Sequence, residues 1–269
     1  GKVRLTDSFD ARFGVRFGRF TIDDFHGKHR VLTVPEIYKY SSNVGTIHVM
    51  QALGKDNFRD FLTKIGMDQP APLELPEKRN PSVPAKFSDI VAATASFGHG
   101  LSVSPLHMLR AVAGFVNNGN MVVPTLYKRS EAEAQATYKR VISPETSERI
   151  RYLMRLNALE GSGTRMNKFA AGYRAGGKTG PAEKVVKGRY DSSKTLAIFA
   201  SAFPLDNPRY AMVVLVDEPQ NENAQSGHTA GWNAGEATGR IVQRVAPMLG
   251  ISPDFSNALD DALLPPELR

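Results

Sequence analysis

Two short clusters hold the side chains best suited to chemistry: Ser41-Ser42-Asn43 and, much later, Lys178-Thr179-Gly180. The first offers hydroxyls and an amide that can hold or pass a proton. The second sets an ammonium beside a hydroxyl, a pair suited to an anionic group. Either trio alone is a weak signal, because Ser and Asn often cap helices and a lysine usually ends as a solvated charge. Order and setting add weight. Ser41 to Asn43 falls at a break between helical patterns, and Lys178 follows Gly176-Gly177 and leads a strand-like segment.

Competing constellations are weaker. His26 and His29, near Asp23 and Asp24, lack the spacing and helical setting of a metalloprotease site, so no metal is expected. Gly161-Ser162-Gly163 has the look of a nucleophile elbow but follows a helix, where an elbow needs a preceding strand. His228 lies in the loop Gly227-His228-Thr229-Ala230-Gly231-Trp232, with contact to a substrate and no chemical role both open.

The elements that must position these residues follow from periodicity. The stretch to Arg30 alternates apolar and polar residues, as in Phe13-Gly14-Val15-Arg16-Phe17, and suggests short strands or an extended arm. Thr33-Val34-Pro35-Glu36 starts a helix toward Tyr40; a second spans Val44 to Leu53, and a third has Phe58, Phe61, Leu62 and Ile65 at helical spacing. A proline-rich run over residues 69–89 reads as a surface loop. Ser104-Pro105 opens a helix with Leu106, Leu109, Ala113 and Phe115 inward, stopped at Asn117-Asn118-Gly119. Ser143-Pro144-Glu145 opens another, with Ile150, Leu153 and Met154 on one face. Residues 194–200 and 210–216 are strand-like and joined by Pro204-Leu205-Asp206-Asn207-Pro208, a hairpin connection; Ala234 to Leu249 forms a closing helix. The expected class is α/β in the α+β sense: a mainly helical lobe over about residues 33–160, then a sheet region with its closing helix over about 161–250.

Composition narrows the function classes. With 41% hydrophobic and 23% charged residues over 269, the chain can bury a substantial core. Its excess of 34 Lys+Arg over 27 Asp+Glu is scattered rather than gathered into arms or aromatic-interleaved stripes, so a nucleic-acid partner is not expected. Zero cysteines exclude disulfides, thiolate metal sites and a thiol nucleophile, and leave the compartment open. The longest apolar stretches are strand-sized, and the first residues have no signal-peptide layout.

Taken in order, Ser41-x-Asn43 and Lys178-Thr179-Gly180 resemble the second and third signatures of the penicillin-binding protein and serine β-lactamase superfamily, whose first is Ser-x-x-Lys. The flanks sharpen this. Leu32 to Gly45, Ser96-Phe97-Gly98-His99-Gly100-Leu101-Ser102-Val103-Ser104-Pro105-Leu106, Phe115-Val116-Asn117-Asn118-Gly119 and Ala175 to Gly180 are similar to class B penicillin-binding proteins of the division type. The resemblance implies a peptidoglycan D,D-transpeptidase that cross-links stem peptides by serine acyl transfer and is acylated by β-lactams, with no cofactor. It gives Ser41 the relay of a proton to or from the departing amine. Asn43 would bond the substrate amide and brace the lysine of Ser-x-x-Lys. Lys178 would supply positive potential, and Thr179 a hydrogen bond to the substrate carboxylate, with Ser42, Gly180 and Pro181 also lining the substrate. It further implies an inner-membrane protein with this domain in the periplasm, beside division-complex membrane proteins.

Two departures stand out. No Ser-x-x-Lys occurs in the chain: Ser8 is the only serine before Ser41, with Ala11 three residues on, and Thr125 with Lys128 comes after Ser-x-Asn. A fragment beginning after the nucleophile's helix explains this most simply; it would expose apolar surface and be inactive alone. Pro181 stands where the family usually has threonine, whose N–H helps bind the oxyanion, and proline has no N–H. Further on, Gly235-Glu236 replaces a small residue and proline. A non-catalytic relative that binds peptidoglycan or division partners is the alternative, and a β-lactamase a third reading that no hydrolytic glutamate favours.

Overall fold

The structure, a computed structural model, describes residues 1–186, 189–220, 229–256 and 258–269. The chain forms two compact units, Gly1–Pro144 with Pro266–Arg269, and Glu145–Pro265.

In the first unit the alternating N-terminal stretch forms two small antiparallel ladders. β1 (Ser8–Asp10), β2 (Val15–Phe17), β3 (Phe20–Ile22) and β4 (Val31–Thr33) pair as β1 with β4 and β2 with β3. Thr33 then caps α1 (Val34–Tyr40) through a reciprocal box with Glu36, whose carboxylate accepts the Thr33 N–H at 2.9 Å, and Pro35 sits in the first turn. α2 (Asn43–Leu53) and α3 (Lys55–Lys64) follow as expected. α4 (Asp89–Ser96) does not stand out in the sequence, because its buried face is Ala92, Ala93 and Ala95, too small to mark a period. The core around these helices gathers Ile47, Met50, Leu62 and Phe87, each removed from water at about 2 kcal/mol.

α5 (Pro105–Val116) starts at Ser104 and stops at Asn117, as its signals imply, but its buried face differs from the expected one. His107, Ala111, Gly114 and Val116 are buried, while Leu106, Leu109, Ala113 and Phe115 are half-buried. A polar residue can enter because both ring nitrogens of His107 are satisfied, Nδ1 by the Ser104 N–H at 3.2 Å and Nε2 by the Gln69 carbonyl at 2.7 Å. β5 (Asn120–Met121) pairs with β6 (Lys139–Arg140), and α6 (Glu131–Ala136) lies between them in sequence.

The second unit is an antiparallel sheet with helices. α7 (Pro144–Glu160) and α8 (Thr164–Phe169) precede β7 (Gly176–Val186), β8 (Arg189–Phe203) and β9 (Tyr210–Asp217), ordered β7-β8-β9. A π-helical turn, Gly231–Gly235, leads into α9 (Glu236–Met248), and α10 (Ala258–Leu263) follows. The helices and sheet share one core, with Met166, Ala197, Phe199, Phe203, Ala234 and Val242. β8 outruns its strand-like sequence because pairing with β7 and β9 satisfies its backbone whatever the side chains. Buried Arg155 of α7 ties the unit together, donating to Asp260 at 2.7 Å, Asn167 at 2.8 Å and the Ala175 carbonyl at 2.9 Å.

Candidate active site

Ser41 is the left-handed residue, φ 56°, that ends α1. The Ser42 N–H reaches back to the Ile37 carbonyl at 3.0 Å and the Ser41 N–H to Tyr38 at 3.3 Å, the paired bonds of a Schellman stop. Glycine ordinarily fills that place, and an L-residue there costs about 1 kcal/mol. The stop turns the chain so that Ser42 caps α2: its buried Oγ accepts the Gly45 N–H at 2.9 Å. Asp24 then grips this turn from the N-terminal arm, accepting the Ser42 hydroxyl at 2.7 Å and the Val44 N–H at 2.9 Å. Ser41 is left exposed and Asn43 half-buried at the first position of α2.

In the second unit, Lys178, Thr179, Gly180 and Pro181 occupy the start of β7, which pairs with β8 on one side; among the described residues no strand covers its other edge. Proline is tolerated on such an edge, and exposed Pro181 lies opposite Ala197. Gly177 is required by close approach: a Cβ there would come 2.2 Å from the Ala200 carbonyl oxygen and 2.7 Å from the Phe199 ring. Burial pushes the Lys178 ammonium down to about 8. Its Nζ lies 3.5 Å from the Thr179 hydroxyl.

Behind this strand runs a chain of neutral polar groups. Asn157, fully buried on α7, donates from Nδ2 to the Gly177 carbonyl at 2.8 Å and accepts at Oδ1 from the Ser162 N–H at 3.1 Å and hydroxyl at 3.2 Å. The Ser162 Oγ lies 2.8 Å from the Thr179 Oγ1. Ser162 also borders a groove of about 430 Å³ with Thr164, Arg165, Lys168, Thr229, Gly231 and Trp232. There Arg165 donates to Glu236 at 2.5 Å and lies 3.9 Å over the half-exposed Trp232 ring. Burial raises the Glu236 carboxyl, but the bonds from Arg240 and Arg165 outweigh it and hold the group below its ordinary value.

The structure thus brings Ser41, Ser42 and Asn43 together in the first unit, and Lys178, Thr179, Gly180 and Pro181 together in the second. His228 lies outside the described residues. Three positions carry more than the sequence suggested. Asp24 fixes the Ser-x-Asn turn from 18 residues away. Ser162 and Asn157 support Thr179; no motif marks Asn157, and the glycine pair around Ser162 points to a different chemistry. No group of three or more metal-ligating side chains occurs among the described residues.

Comparison with known proteins gives the family. The penicillin binding protein transpeptidase domain family matches residues 5–237. The chain is 35% identical over 259 residues, 93% of its length, to a probable peptidoglycan D,D-transpeptidase FtsI of Caulobacter vibrioides, and covers 44% of that protein. It is 32% identical over 238 residues to stage V sporulation protein D of Bacillus subtilis, covering 84% of this chain and 36% of that one. The chain therefore spans less than half the length of these two relatives. Among solved structures, the apo TP domain of penicillin-binding protein 3 from Burkholderia pseudomallei superposes with a TM-score of 0.84 at 28% identity, covering 95% of this chain and 76% of that one. A helical unit bearing Ser41-x-Asn43, a sheet edge bearing Lys178-Thr179-Gly180 and a family match over most of the chain agree: the protein belongs to the penicillin-binding protein transpeptidase domain family.

Proposed function

We propose that this chain supplies the Ser-x-Asn and Lys-Thr-Gly elements of a peptidoglycan D,D-transpeptidase that cross-links stem peptides by serine acyl transfer and is acylated by β-lactams. The observation that carries this reading is Lys178 with Thr179 on the open edge of β7. A peptide laid along that edge adds as a further strand, and its terminal carboxylate meets an ammonium and a hydroxyl. The nucleophile would come from an upstream Ser-x-x-Lys in the full-length protein. Ser41 would relay the proton to the departing amine, and Asn43 would bond the substrate amide. Ser42 positions both through its cap, and Gly180 and Pro181 continue the strand beside the substrate.

By family likeness the full-length protein is anchored in the inner membrane with this domain in the periplasm, acting beside division-complex membrane proteins. No helix among the described residues is long and apolar enough to cross a membrane. Pro181 favours a second reading, a relative that binds peptidoglycan or division partners without catalysis, because an oxyanion site missing one N–H loses about two to three orders of magnitude in rate. The two readings separate by intact mass after incubation of the full-length protein with benzylpenicillin. A single covalent adduct, formed about a hundredfold more slowly in Lys178→Ala, is the expected result; no adduct on the unaltered protein contradicts the transferase reading.

A further inference from the structure

Thr179 cannot be oriented by Lys178 alone, because an ammonium is only a donor and the hydroxyl has one proton to place. The orientation of Asn157 is fixed by its neighbours: the Gly177 carbonyl can only accept and the Ser162 N–H can only donate, so Nδ2 faces the first and Oδ1 the second. Between Asn157 Oδ1 and the strand edge, two hydroxyl protons serve two successive contacts, Ser162 to Asn157 at 3.2 Å and Ser162 to Thr179 at 2.8 Å. Two arrangements satisfy them. In one, Ser162 donates to Asn157 and Thr179 donates to Ser162, so that Thr179 turns only lone pairs outward and repels a carboxylate. In the other, Ser162 donates to Thr179, whose own proton is free to point at a ligand.

We propose that Ser162, braced by Asn157, is a positioning residue that turns the Thr179 proton toward an arriving substrate carboxylate. The inference rests on the transpeptidase reading and extends it to a residue outside the three signatures. The turn is a rotation of two hydroxyls: no covalent bond changes, and each oxygen keeps its own proton. It leaves nothing orphaned, since Asn157 Oδ1 keeps the Ser162 N–H at 3.1 Å when the Ser162 hydroxyl turns away. Accepting from Ser162 also polarises the Thr179 hydroxyl and makes it the better donor. The site is built for this, with Asn157 wholly buried and Gly231 so close that a Cβ on it would come 2.6 Å from the Ser162 carbonyl oxygen.

The test compares benzylpenicillin with its methyl ester, which lacks the anionic carboxylate, by stopped-flow acylation of the full-length protein. Ser162→Ala is expected to weaken the free acid about fivefold, chiefly in the binding constant rather than in the acylation step, and the ester by less than twofold. Ser162→Thr, which keeps the hydroxyl, is expected to restore most of the loss. In a Thr179→Ala background, Ser162→Ala should add little, because the group it orients is gone. Equal losses for acid and ester, or an undiminished penalty in the Thr179→Ala background, would show general damage and overturn the proposal. An unchanged acid rate overturns it as well. Absence of any acylation in the unaltered protein instead removes the transpeptidase reading, and the relay falls with it.

Discussion

At Ser42 the support is a carboxylate, Asp24, which takes a hydroxyl at 2.7 Å and a backbone N–H at 2.9 Å. At Thr179 it is a neutral chain of amide and hydroxyl, with the partly desolvated Lys178 ammonium 3.5 Å from the hydroxyl. The Ser-x-Asn turn needs rigidity against strain, because Ser41 holds a left-handed conformation that glycine would occupy more easily. A charge-assisted clamp suits that task. The Lys-Thr-Gly edge is suited instead to meeting an anion, and a second fixed carboxylate there would repel it. Neutral support lets Thr179 reorient while Lys178 keeps the field positive.

The comparison can be broken on either side. Lys178→Ala removes the anion-attracting charge and is expected to lower acylation of the full-length protein by benzylpenicillin about a hundredfold, with little change in melting temperature. Asp24→Ala leaves the Ser42 hydroxyl and Val44 N–H without their acceptor and is expected to lower stability by about 2 kcal/mol in urea unfolding. Ser41→Gly should do the reverse for stability, raising it by about 1 kcal/mol as the left-handed strain is relieved, while acylation falls. A stabilised and equally active variant would deny Ser41 its role.

The smallest effect sharpens the contrast through pH. Lys178 titrates at about 8, so its ammonium is present below that pH and lost above it. Preference for the free acid of a penicillin over its ester should therefore be full at pH 7 and decline as pH rises through about 8. A preference constant to pH 10 would place the charge elsewhere.

Local signals were legible. Thr33 with Glu36 and Ser104 with Pro105 mark helix starts because a cap is decided within four residues. The hairpin of β8 and β9 shows in two strand-length apolar runs joined by a proline-flanked connection. What escaped is non-local or small. The Asp24 clamp joins residues separated by β4 and α1, and the buried residues of α4 are all alanines. Ser162 attracts notice for the wrong chemistry, as a nucleophile in a glycine pair. Its contact with Thr179 exists only once α7 and β7 pack together around Asn157. Pro181, which the family resemblance singles out as a departure, sits on an edge strand that accommodates it.

The central claim is transfer, and its most direct measurement is cross-link formation by the full-length protein from a synthetic stem pentapeptide donor and an amine acceptor, read by mass spectrometry. The account predicts a dimer formed in step with release of the donor's terminal D-amino acid, abolished by benzylpenicillin and by Lys178→Ala. A penicillin adduct with neither dimer nor released amino acid would contradict it and leave a protein that binds the wall without joining it.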